Sequence, residues 1–196
     1  VKQQRSREKK ELMANAAAQL LIDNGPSAVT HRNVAEAAGL APGSGNYYFP
    51  SKSELYEAAV ARAEDYRSAM AGELAAKVSP QKTSKEVAHV LLDVLFAPAL
   101  TNDVVSKRLI PMLEAHKDPK LQVIMSEHGP ILREAAIIAF QRATGHQLDE
   151  ATADLITMSI TSALLFASAM GNPDPIDYAV SQGALLMDKL NLQPQP

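Results

Sequence analysis

The side chains with chemistry to offer are concentrated between positions 30 and 52. The Asn46 amide can pair bidentately with adenine, and the Ser44 hydroxyl suits several base edges. The hydroxyls of Tyr47 and Tyr48 and the ammonium of Lys52 suit phosphate oxygens. Together they form a polar and aromatic set with little to offer a core. Elsewhere the chemistry is thin. No cysteine is present, which excludes disulfides, thiolate metal sites and cysteine nucleophiles. No paired nucleophile and base, phosphate-binding glycine loop or metal-ligand spacing stands out, so catalysis is not expected and no cofactor or metal is called for. His116 and His128, with Glu114 and Glu127 nearby, could bind a metal or fix a polar group of a ligand, but lone histidines are more often structural or exposed.

The elements that must position the 30–52 set are helical. Met13, Ala16, Ala17, Leu20 and Leu21 recur at three- and four-residue spacing, which predicts a helix over about 7–24, stopped by Asn24-Gly25-Pro26. Thr30 can cap a helix over 31–38, in which Val34, Ala35 and Ala38 are the packing residues, and Gly39 ends it. A very short helix fits 42–48, with Pro42 in its first turn. Two short helices around a glycine turn make a helix-turn-helix, whose second helix enters the major groove of DNA. Ser51 and Glu54 have capping-box spacing, so a long fourth helix should run to about Val78, where Ser79-Pro80 breaks it. Further helices are expected near 82–97, 103–117, 120–143, 148–170 and 174–190, with Pro111 and Pro130 kinking or splitting two of them. The tail from Gln193 to Pro196 should be disordered.

Bulk composition neither announces nor forbids a nucleic-acid partner. The 196 residues are 46 % hydrophobic and 21 % charged, enough to bury a sizeable core. Net charge is -3 with a pI near 6.0. The placement of charge is uneven: residues 1–60 carry a net +1, residues 61–196 a net -4, and the first ten residues hold five basic side chains against one acidic. That basic arm is expected to touch the DNA backbone or minor groove. Apolar stretches fall short of a membrane span and none looks like a secretory signal, so no membrane partner and a cytoplasmic location are expected.

Residues from about 7 to 60 resemble the DNA-binding domain of the tetracycline-repressor (TetR) family of bacterial transcription regulators. The likeness rests on the helix ending at Gly25, the Thr30-x-x-x-Val34-Ala35-x-x-Ala38-Gly39-Leu40 core, Gly43-Ser44, the Tyr47-Tyr48-Phe49 aromatic end, and Ser51-Lys52-x-x-Leu55. The resemblance implies an all-α fold: an N-terminal three-helix helix-turn-helix domain (1–55) and a C-terminal helical ligand-binding and dimerisation domain (56–192). It also implies contact roles. Thr30 and Lys52 look like phosphate contacts, and Arg32 like a base reader with guanine as its target. With His31, Gly43, Ser44, Asn46, Tyr47 and Tyr48 these make the expected DNA-binding set. Three departures stand out: Gly45 replaces a larger apolar residue, Asn46 stands where the family often has an aromatic one, and Pro50 replaces a basic residue, so one phosphate contact is expected to be missing. Glycines at 43 and 45 would leave the second helix floppy until DNA orders it, or mark a very close backbone approach.

The second half is expected to sense and to dimerise. Its two final helices carry more apolar residues than one face needs, which points to a four-helix interface between two copies. Phe96, Met112, His116, Met125, His128, Phe140 and Phe166 are the expected effector-binding residues. The combined reading is a homodimeric repressor, released from a palindromic operator by a small-molecule effector. Two alternatives stand beside it: a helical small-molecule-binding protein or enzyme without sequence-specific DNA binding, and an architectural DNA-binding protein with no effector.

Overall fold

The computed structural model describes residues 2–41 and 43–194, except the side chain of Lys2. Val1, Pro42 and the last two residues lie outside it, and with them the expected helical role of Pro42 and the end of the expected disordered tail. Among the described residues every regular element is helical. They are α1 (Lys2–Asn24), a 3-10 turn (Pro26–Ala28), α2 (His31–Ala37), α3 (Gly45–Tyr48), α4 (Lys52–Lys77), α5 (Ser84–Leu95), α6 (Asn102–Ala115), α7 (Pro119–Thr144), α8 (Glu150–Ala169) and α9 (Pro175–Lys189).

Most bounds fall within two or three residues of expectation, and the differences have physical causes. Helix α1 begins at Lys2, so the basic segment is the first turns of a helix and not an arm before it. Lys, Arg, Gln and Glu are strong helix formers, and they extend the helix although no apolar period marks it. Helix α3 is shorter than expected, and Gly43 lies in the preceding turn at φ 87°. Pro111 and Pro130 sit inside α6 and α7 and split neither.

Packing divides the chain into two compact units. The first comprises residues 1–66 and 106–127, the second residues 67–105 and 128–196. The first unit is built on Met13, Ala17, Leu21, Val29, Val34, Phe49, Leu55, Ala59 and Ala63, all almost fully buried. Ala115 of α6 and Leu121 of α7 belong to the same core. Beside it, Arg108 donates to both carboxylate oxygens of Glu64, at 2.7 and 2.9 Å, with both side chains buried. The Tyr56 hydroxyl donates to Glu114, Lys107 to the carbonyl of Asp23, and Lys120 to Glu57. The α6–α7 corner is therefore tied to α1 and α4 by apolar contact, a buried ion pair and surface bonds. Burial and the Glu114 carboxylate push the Tyr56 phenol well above its ordinary value, so it stays a donor.

In the second unit α9 packs on α5 and α8. A Cβ built on Gly183 would lie 2.6 Å from Cγ1 of Ile160 and 3.2 Å from Cβ of Ala88, so glycine is what lets the three helices meet. Ile156, Ile160, Leu164 and Ala167 of α8 and Ala179, Ala184 and Met187 of α9 are buried within this unit. A second apolar face stays exposed: Leu155, Met158 and Phe166 on α8 with Met170 just after its end, Tyr178 and Leu185 on α9. Contrary to the sequence expectation, α8 is long and apolar enough, by length and composition, to cross a membrane. Its apolar load is instead divided between the face packed in the unit and the exposed one.

Candidate nucleic-acid interface

The helix-turn-helix is assembled by local bonds that its sequence dictates. The Thr30 hydroxyl accepts from the Asn33 N–H at 3.2 Å, capping α2, and the Asn33 amide donates to the Ala28 carbonyl at 3.0 Å. Helix α2 closes in a paired turn: Gly39 N–H to Glu36 O and Leu40 N–H to Ala35 O, with Gly39 at φ 65°. Leu40 is thereby turned back against the core. The following turn is fixed by Ser44, whose N–H and hydroxyl both donate to the Ala41 carbonyl. The Ser44 hydroxyl hydrogen is thus engaged internally, which leaves its oxygen lone pairs to accept from a base amino group.

Helix α3 sorts its residues one by one. Gly45 is buried, Asn46 is exposed, and Tyr47 is 76 % exposed. Tyr48 is half-buried and packs against the core, while Phe49 is 3 % exposed within it. The Tyr47 ring stands edge-on to Tyr48, centroids 5.0 Å apart at 90°, so the outer tyrosine is propped by the inner one. Arg32 in the first turn of α2 and Lys52 in the first turn of α4 are exposed. Ser51 caps α4 through the Glu54 N–H at 3.1 Å. A lysine at the positive end of a 26-residue helix works against the helix dipole. The same place suits an anion, because the Lys52 charge adds to the positive end of the helix dipole.

The basic turns of α1 reach the same neighbourhood. Lys10 Nζ lies 5.2 Å from the centroid of the Phe49 ring, and Arg5, Arg7 and Lys9 are exposed. Sequence reasoning did not single out Lys10 as a neighbour of α3. Its only signal was membership of the basic run. His31, expected at the interface, is half-buried, and its Nε2 lies 2.8 Å from the Phe49 carbonyl.

The expected effector residues are divided between the two units. Met112, His116 and Met125 belong to the first unit, where Met112 and His116 are exposed and Met125 packs against the core. Phe96, His128, Phe140 and Phe166 belong to the second. There Phe96, Phe140 and His128 are buried, and Phe166 is exposed. Phe166 lines an open groove of about 530 Å³ between α8 and α9, together with Ala163, Tyr178 and Leu185. Among the described residues no group of three or more His, Asp or Glu side chains could hold a metal ion, so His116 and His128 form no such site with Glu114 and Glu127.

Residues 14–59 match the sequence model of the family described as bacterial regulatory proteins, tetR family. Solved structures of similar shape extend over nearly the whole chain. The multidrug binding protein EbrR complexed with proflavin shares 19 % identity at a TM-score of 0.66, covering 93 % of this chain and 99 % of its own. A Saccharomonospora viridis protein in complex with choline shares 15 % identity at 0.65, covering 96 % and 100 %. A Mesorhizobium loti protein assigned to the TetR family shares 17 % identity at 0.60, covering 93 % and 98 %. At these identities the likeness establishes the fold. A comparison with curated proteins found no significant match.

Proposed function

We propose that this chain, whose residues 14–59 match the tetR family of bacterial regulatory proteins, is a homodimeric, ligand-responsive regulator, a repressor that a small-molecule effector releases from a palindromic operator. The observation that carries the reading is the sorting along α3. Phe49 and Tyr48 fasten the helix to the core, while Asn46 and Tyr47 are exposed, as is Arg32 in the first turn of α2. Arg32 and Asn46 read base edges. Thr30, Lys52 and the basic face of α1 hold phosphates. Gly43, Ser44 and Tyr48 support the reading helix or contact its target at the margin. The functional division falls near residue 55, with the helical body from 56 to 192 serving effector and dimer.

Dimerisation proceeds through the exposed face of α8 and α9. Leu155, Met158, Phe166 and Leu185 form an apolar surface that a second copy of the same face would cover. The effector occupies the helical body, with Phe96, Met112, His116, Met125, His128, Phe140 and Phe166 as its candidate contacts. Its signal travels through α4 and the α6–α7 corner. Half-sites of a helix-turn-helix dimer lie about 34 Å apart, so a shift of a few ångströms in α4 prevents both reading helices from docking together. Linkage then requires that DNA weaken effector binding by the same factor.

Selection from a random duplex library with the purified protein tests the reading. The expected outcome is enrichment of one palindromic sequence, bound at least about a thousandfold tighter than random duplex at physiological salt. Failure to enrich any sequence, at low salt as well as high, would sink it.

A further inference from the structure

We propose that His31 is the positioning residue of the reading helix and that Gly45 is its steric counterpart, the imidazole being committed inside the protein and not to DNA. This rests on the reading of α3 as the base-reading element. Three observations carry it. First, His31 Nε2 sits 2.8 Å from the Phe49 carbonyl, eighteen residues away. A carbonyl only accepts, so Nε2 carries the hydrogen and donates it, and that nitrogen is unavailable to a base or phosphate. Second, Gly45 is buried at a helical φ, so its backbone does not require glycine. A Cβ there would meet Cβ and Cδ2 of His31 at 3.2 Å and its carbonyl oxygen at 3.3 Å. The missing side chain therefore makes room for the imidazole. Gly45, being buried, opens no path for DNA to approach the backbone. Third, the acceptor belongs to Phe49, the residue that ends α3 and whose own N–H bonds to Gly45 O at 2.9 Å.

These contacts clamp both ends of α3 to the first residue of α2. A four-residue helix cannot hold itself, because nucleating one turn is unfavourable without outside contacts. Tyr48 and Phe49 supply part of them by packing on the core, and His31 supplies the polar part. The His31 clamp sets the angle at which Asn46 and Tyr47 leave the surface, and so it governs sequence preference without touching the operator.

The test compares His31→Ala, His31→Gln and Gly45→Ala with the parent. Binding is read by fluorescence anisotropy on the duplex recovered by selection and on a random duplex, each over a salt series. The proposal expects His31→Ala and Gly45→Ala each to weaken the selected duplex about tenfold. Random-duplex affinity and the salt slope should stay unchanged. His31→Gln, whose amide can also donate to the Phe49 carbonyl, should recover most of the loss. The double variant should lose less than the product of the two, since both changes break one contact. Amide hydrogen exchange without DNA should show faster exchange at Phe49 in His31→Ala, with the α4 amides unchanged. A salt slope lowered by about one unit in His31→Ala would reveal a direct phosphate contact and overturn the proposal. Unchanged binding and exchange in His31→Ala would overturn it as well. If the parent selects no sequence, the regulator reading itself fails, while the exchange measurement still decides whether the clamp exists.

Discussion

At the scale of single residues, reading and holding are separable. Arg32 and Asn46 are exposed donors of the kind that distinguish bases, whereas Lys52 is a point charge at a helix start. Arg32→Ala and Asn46→Ala are each expected to relax preference at one position of every half-site, at a cost of about 1–3 kcal/mol. Lys52→Ala should weaken all duplexes alike and flatten the salt dependence by about one unit. Competition binding against single-base operator variants checks both; a change of base preference in Lys52→Ala would exchange the roles. Residue types and spacing made the motif legible in the sequence, because turn, cap and aromatic end all agree on it. The two-sided character of α3 was less legible. Tyr47 is exposed, as its place in the motif predicts, but nothing in the string Gly-Asn-Tyr-Tyr-Phe tells that Tyr48 turns half into the core, or that Gly45 is shaped by His31. The last fact comes from a contact between residues fourteen apart.

At the scale of elements, the decisive joints are helix crossings. Gly183 permits α9 to meet α8 and α5, so Gly183→Ala must displace Ile160. It is expected to cost about 1–3 kcal/mol, visible as a lowered thermal midpoint, with base preference unaltered. The Glu64–Arg108 pair ties α6 to α4 inside a dry site. Arg108→Met alone leaves a buried carboxylate and should cost about 3–5 kcal/mol, whereas Arg108→Met with Glu64→Leu should recover most of that; chemical denaturation measures both. Such joints were only partly readable beforehand. Helical period located α4, α6, α8 and α9 to within a few residues. It could not show that residues 106–127 pack with the head, because pairings across 44 residues leave no local pattern. Nor could a search for apolar period find the start of α1, where helix propensity alone extends the chain.

At the scale of the whole molecule, a small acidic protein reaches DNA by placing its few positive charges well. The basic turns of α1, Arg32 and Lys52 lie in the first sixty residues, while the net acidity lies beyond them. Non-specific affinity should therefore be low, and two half-sites must be engaged together. The proposed means is the exposed apolar face of α8 and α9. Phe166→Asp with Leu185→Asp should convert a dimer to monomers in sedimentation and lower operator affinity by orders of magnitude, leaving the helical content intact. Unchanged sedimentation would move the interface elsewhere. The most direct measurement of the central claim is hydroxyl-radical footprinting of the protein on its selected duplex. Two equivalent protected patches centred about one helical turn apart, roughly 34 Å, are predicted, both lost together in the monomeric variant. A single patch, or uniform protection along the duplex, would contradict it.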